Sequence, residues 1–125
     1  MNNIILVFLG AGIGGVMRFL FGRLNTDFIG LPSYFATFGV NMFGGLIIGI
    51  AADILTKQIH NQQFIQYFIM IGVLGGFTTF SSFSLDVVRM IEQQRFFEAF
   101  AYIFASVSIS IIAVFVGMVI SRHIV

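Results

Sequence analysis

Uncharged polar side chains recur along this chain at helical spacing, inside segments otherwise built of Ile, Val, Leu, Phe, Ala and Gly. Tyr102, Ser106 and Ser110 stand four residues apart, as do Thr37 and Asn41, so each set falls on one helical face. Hydroxyls and amides without fixed charge replace part of an ion's hydration shell while binding it weakly enough to release it. In membranes a serine also makes helix–helix hydrogen bonds worth about 0.6–2 kcal/mol. For one serine that packing role is the default; a three-residue stripe beside an asparagine points to a polar path. The densest group is Gly75-Gly76-Phe77-Thr78-Thr79-Phe80-Ser81-Ser82-Phe83-Ser84, which puts a glycine pair, five hydroxyls and three phenylalanines inside an apolar run. A segment that only crossed lipid would need none of these. Glycines weaken a helix interior and hydroxyls cap the backbone groups that an interruption frees, so the stretch reads as a helix broken near Gly75-Gly76.

Phe80 and Phe83 share a helical face, and an aromatic ring carries the positive end of its quadrupole at the edge, which suits an anion. The chain has 17 Phe in 125 residues, however, and the same spacing occurs at Phe35/Phe38, Phe77/Phe80 and Phe97/Phe100. Spacing alone therefore indicates packing. What distinguishes Phe80 and Phe83 is the break beside them, where a new helix N-terminus adds a positive dipole end.

Other chemistries are poorly served. His60 falls in a connection and His123 at the C-terminus, no His, Asp and Glu cluster has metal-ligand spacing, and no base is placed to activate a hydroxyl, so an enzyme is not expected. Proton-coupled transport usually needs an acid well inside a span. Asp27, Asp53, Glu92 and Glu98 fall in connections or at helix ends, and Asp86 precedes Arg89 by three residues, a spacing that suits a local ion pair. A formal charge of +1 offers no basic patch for nucleic acid, and the lack of cysteine removes disulfides and thiolate metal sites.

These residues must be positioned by membrane helices. The chain is 58% hydrophobic and 9% charged, with a mean hydropathy of +1.04, outside the range of soluble domains of this size. Four stretches reach the roughly 20 residues a span needs: about Asn3–Leu24, Ser33–Leu55, Phe64–Met90 and Phe97–Ser121. The first reads as a retained helix, with neither a basic leader nor a cleavage site. Connections are expected at Asn25-Thr26-Asp27 with Gly30 and Pro32, at Lys57 to Gln63, and at Glu92 to Arg95; such short links make successive helices antiparallel neighbours in a single domain, residues 1–125.

Lys57 and Arg122 fall on one side of the membrane and Arg23 and Arg95 on the other, with Arg18 and Arg89 tilting the balance weakly toward the second. The positive-inside rule then gives almost no preferred orientation, which allows insertion both ways and pairing with an inverted copy. Four helices do not comfortably enclose a polar path, so a second copy is expected. The glycines at 10, 12, 14 and 15 and at 44, 45 and 49 would let helices approach, within one subunit or between two.

The segment from Gly75 to Ser84 resembles the third-helix motif of the bacterial fluoride channels, the Fluc or CrcB family. Gly10 to Arg18 looks like that family's glycine-rich first-helix motif, and Thr37-Phe38-Gly39-Val40-Asn41 looks like its Thr-x-x-Val-Asn motif. Gly15, Phe19 and Ala36 depart from the common residues near these motifs, while the Thr-Thr-Phe-Ser-x-Phe-Ser core is intact. The resemblance implies an all-α membrane protein of four transmembrane helices with a broken third helix. It implies assembly as an antiparallel, dual-topology homodimer with two pores in the bacterial inner membrane, passively exporting fluoride. It maps Asn41, Phe80 and Phe83 to fluoride contacts, Ser82 and Ser84 to nearby hydroxyls, and Tyr102, Ser106 and Ser110 to a polar track that Thr37 joins. It maps Arg18 to the pore entrance, and the backbone carbonyls of Gly75 and Thr78 to a structural sodium ion between the subunits. Two other readings of the residues stand beside it: a proton-coupled exporter of the small multidrug type, against which the acid-free first helix counts, and a non-transporting assembly subunit.

Overall fold

The computed structural model describes residues 2–57 and 62–124, so His60 and part of the connection from Lys57 to Gln63 lie outside the described residues. Helix α1 spans Asn2–Arg23 and continues as a wider, π-helical stretch, Leu24–Ile29. Helix α2 is Ser33–Lys57. A second π-helical stretch, Phe64–Leu74, runs into α3, Gly75–Phe77; α4, Phe80–Glu92, and α5, Phe96–Ile124, complete the chain. Together they give four segments long and apolar enough to cross a membrane: Asn2–Ile29, Ser33–Lys57, Phe64–Glu92 and Phe96–Ile124. Helices answer the requirement that backbone groups be paired internally in lipid. Large apolar side chains point outward along them, Phe8 at 76% and Phe104 at 69% exposure among them, as expected where the solvent is hydrocarbon.

Two expectations are corrected. Asn25-Thr26-Asp27 is wound helix and not a loop, because its polar side chains satisfy the backbone locally. Thr26 Oγ1 donates to Gly22 O (3.0 Å), and Asp27 pairs with Arg23 one turn earlier (2.6 Å). Buried Asn25 donates through Nδ2 to the carbonyls of Leu31 (3.1 Å) and Pro32 (3.2 Å), and Gly30 reverses the chain at φ 75°. Secondly, Gly75 and Gly76 do not interrupt the third span: Gly75 is helical (φ −63°, ψ −36°), and winding stops at Thr78 (ψ 159°) and Thr79 (φ −153°, ψ 116°). Two successive β-branched residues take extended backbone readily. The glycines serve packing, since a Cβ on Gly76 would lie 2.5 Å from Ala11 O.

The same device holds the bundle together. Gly10 and Gly14 of α1 meet backbone at Phe68, Gly72, Val73 and Phe77, while Gly45 and Gly49 of α2 meet α5 at Ser110 and Val114, and Gly117 of α5 meets Leu46. Gly12 and Gly15 face open space. At one end of the bundle Asp53 joins α2 to α5, contacting Lys57 (2.9 Å) and Arg122 (3.3 Å). Near the other end Phe83, Met90, Ala99 and Tyr102 form an apolar cluster against Tyr34, Phe38 and Val87.

Candidate functional site

The interruption at Thr78-Thr79 lies midway along the third span, and its free backbone groups are met by side chains. Thr79 N–H donates to Asn41 Oδ1 (2.8 Å), and Asn41 Nδ2 donates to Thr79 O (3.0 Å). A continuous helix would give that N–H to the Gly75 carbonyl. Ser82 N–H, whose helical acceptor would be Thr78 O, instead donates to Thr79 Oγ1 (3.1 Å), making Thr79 the N-cap of α4. Thr79 Oγ1 lies 3.0 Å from Ser82 Oγ and 3.2 Å from Ser81 Oγ. With these two N–H donors redirected to side chains, the carbonyls of Gly75 and Thr78 have lost their helical partners.

Charge separates across the break. Carbonyls at the end of α3 form the negative end of a helix dipole and N–H groups opening α4 the positive end. Arg18 answers the negative end, its Nη1 donating to Thr78 O (3.1 Å) across sixty residues of sequence. A carbonyl oxygen has a second lone pair, and Gly75 is exposed on the single chain, so this carbonyl set suits a hard cation that takes oxygen ligands.

At the positive end a groove of about 400 Å³ opens between α2, α4 and α5, lined by Asn41, Thr78, Thr79, Phe80, Phe83, Ser106 and Ser110 with Gly44, Gly45 and the aliphatic side chains nearby. Among the described residues, no ionisable side chain lines it. The Asn41 amide spends its oxygen and one N–H on Thr79 and keeps a second N–H. Phe80 and Phe83 sit with ring centroids 5.5 Å apart; Phe83 is buried, whereas Phe80 is 77% exposed. Ser106 Oγ is buried with no hydrogen-bond partner among the described residues.

The remaining expected residues divide. Tyr102 stands behind the groove, 5.4 Å from the Phe83 ring, with its hydroxyl donating to Asp86 Oδ2 (3.4 Å). Arg18, Thr37 and Ser82 line a second cavity of about 290 Å³, which also touches Thr79. Ser84 lines neither and spends its hydroxyl on Phe80 O (3.0 Å). The expected Asp86–Arg89 ion pair is absent among the described residues, because buried Asp86 turns toward Tyr102 instead. Thr79 is the residue that the sequence reading did not single out. Its signal was a hydroxyl residue directly before an apolar helical run.

An all-helical, multi-pass membrane protein with an uncharged polar groove beside a mid-membrane interruption is the class that fold and site define. Residues 5–118 match the family model described as CrcB-like protein, Camphor Resistance (CrcB), and the chain belongs to that family. Among its curated relatives are three proteins named fluoride-specific ion channel FluC. The one from Rhizobium meliloti (strain 1021) is 38% identical over the full length of both chains. That from Agrobacterium fabrum is 39% identical over 98% of each. That from Caulobacter sp. (strain K31) is 39% identical over 99% of this chain and 98% of its own.

Proposed function

We propose that this chain is the subunit of a fluoride-selective channel of the bacterial inner membrane, passing fluoride out of the cytoplasm down its electrochemical gradient, and that it is not an enzyme. Relatives of full matching length carry that name. The observation that carries the reading is the groove at the N-terminal end of α4, lined by two phenylalanines, an asparagine and hydroxyl residues, with no ionisable side chain among the described residues that line it. Fluoride is a compact, strongly hydrated anion. Weak donors and ring edges replace its water without trapping it, and an acid-free lining does not repel it.

In this reading Asn41, Phe80 and Phe83 contact the ion, Ser106 and Ser110 extend the track with Tyr102 behind them, and Thr37, Ser82 and Arg18 serve the adjoining cavity. Ser84 stays near the track without lining it. The exposed Phe80, Val107 and Ile111 leave one wall open, which supports an inverted second copy as the missing wall and two pores per dimer. The interruption at Thr78-Thr79 is then the functional break of the third helix, and the Gly75 and Thr78 carbonyls of both copies would hold a structural sodium ion. Passive outward flow suits the chemistry: hydrogen fluoride crosses acidified membranes as a neutral acid, dissociates in a near-neutral cytoplasm, and leaves as the anion. The polar groove lacks the acid that a proton-coupled exporter would place in its path.

Purified protein in liposomes, followed with fluoride and chloride electrodes side by side, tests this. Fluoride efflux without an imposed proton gradient, and chloride retention, are expected; absence of fluoride flux, or flux that requires a proton gradient, refutes the channel. Phe83→Ile keeps bulk but removes the ring edge, and is expected to lower fluoride flux by about 10-fold or more, the weight of one interaction of ~1.4 kcal/mol. Its dimer should still elute normally in size-exclusion chromatography.

A further inference from the structure

A third cavity, of about 270 Å³, lies at the helix ends away from Asp53 and is lined by Pro32, Ser33, Tyr34, Asp86, Arg89, Met90, Gln93 and Arg95. Its arginines are not equivalent. Arg95 is paired with Glu98, donates to Gln93 Oε1 (3.2 Å) and covers the Tyr34 ring at 5.9 Å, so its charge is locally cancelled and its position fixed. Arg89 is exposed and meets no acid within ion-pair distance among the described residues. The cavity's other uncancelled charge is Asp86, whose side chain leads inward: it accepts from the Tyr102 hydroxyl at 3.4 Å, and the Tyr102 ring packs at 5.4 Å on Phe83, which lines the groove.

We infer that this cavity is the water-facing mouth of the fluoride path, and that Arg89 keeps it passable to an anion by offsetting the charge of Asp86. This rests on the fluoride reading above. A lone carboxylate at the mouth would repel each incoming anion, whereas an acid and a base sharing one small cavity leave it neutral. The cavity also abuts the first turn of α2, whose N–H groups favour negative charge. Arg89 is not among the residues that line the groove; it is a positioning charge acting through the field, and the field's signature is screening by salt.

Fluoride efflux from liposomes is therefore compared at about 0.01 M and about 1 M background salt, where the Debye length falls from about 30 Å to about 3 Å. Arg89→Gln is expected to slow efflux about three- to tenfold at low salt and to approach the wild type at high salt. Arg89→Lys should behave as wild type at both. Adding Asp86→Asn to Arg89→Gln should restore low-salt flux, because the mouth becomes neutral again while the Asn oxygen still accepts from Tyr102. Size-exclusion elution checks that every variant assembles. Equal flux of Arg89→Gln and wild type at low salt overturns the inference, as does a loss unaffected by salt, which marks a packing role, or a double variant no faster than Arg89→Gln. A defect confined to vesicles containing anionic lipid makes Arg89 a headgroup anchor and also overturns it. A wild type without fluoride flux overturns the channel reading itself, so the two failures are distinguishable.

Discussion

Asn41 does two things with one amide. Its oxygen and one N–H hold Thr79 in extended backbone, and one N–H remains for the groove. Removing it should therefore damage structure and conduction together, unlike Phe83, which touches the break only through packing. Asn41→Leu leaves the Thr79 N–H unpaired at membrane depth, costing about 1–3 kcal/mol, while the Thr79 C=O keeps its place as the N-cap acceptor of α4. A clear drop in the thermal unfolding midpoint of purified protein is expected alongside lost fluoride flux. Asn41→Asp keeps the acceptor for Thr79 N–H but sets a carboxylate against Thr79 O and the anion path, so flux should fall at least as far. Normal stability in Asn41→Leu would mean that the clamp is not what holds the break.

At the scale of elements, the glycines divide by what their missing side chains would meet. A Cβ on Gly14, Gly49 or Gly117 would collide with a backbone carbonyl of the neighbouring helix, at Val73, Val114 or Leu46, and backbone does not yield as a flexible side chain does. Gly→Ala at any of these should push helices apart and cost about 1–3 kcal/mol, the usual penalty of overpacking, read as a lower unfolding midpoint in detergent. Gly12 has open space within the chain, and Ala there gains up to about 1 kcal/mol of helix propensity. Gly12→Ala should be neutral or stabilising in the monomer, so a loss of dimer in that variant would place α1 against a neighbour. These tertiary roles explain what the sequence left illegible. The spans were readable because lipid demands about 20 apolar residues each, and Asn41, Ser106 and Ser110 were readable because uncharged polar groups stand out on such a background, whereas Phe80 and Phe83 stood out only by the break beside them and the family resemblance. The break was set at Gly75-Gly76 because a glycine pair resembles a helix breaker, but only the approach of Ala11 shows why glycine is needed there. Asn25 looked like loop because its caps depend on side-chain reach, and Asp86 looked tied to Arg89 because its Tyr102 partner lies on another helix.

The whole molecule carries a groove with one open side and a charge distribution with almost no sidedness, and an inverted partner would account for both. Lys57 and Arg122 stand at one face and Arg23 and Arg95 at the other, so the Lys and Arg count leaves little for the orienting machinery to distinguish. Orientation then follows the Lys and Arg balance of the short connections, and one added cation should decide it. The chain has no cysteine, so single cysteines report without background. Gln93→Cys marks one face and His123→Cys the other; with an impermeant maleimide outside the cell, roughly half of the copies should label at each, the outcome of an unbiased insertion. Gln93→Arg should drive its face to the cytoplasm, and Ser121→Arg or His123→Arg should drive the opposite one; of these His123→Arg is preferred, because Ser121 is buried. If a pore needs both orientations, either biased variant alone should carry little fluoride, and co-expression of Gln93→Arg with His123→Arg should bring flux back. Labelling of the unaltered chain at one face only would rule out the antiparallel pair, and full flux from a single fully oriented variant would show that each pore is built without an inverted copy.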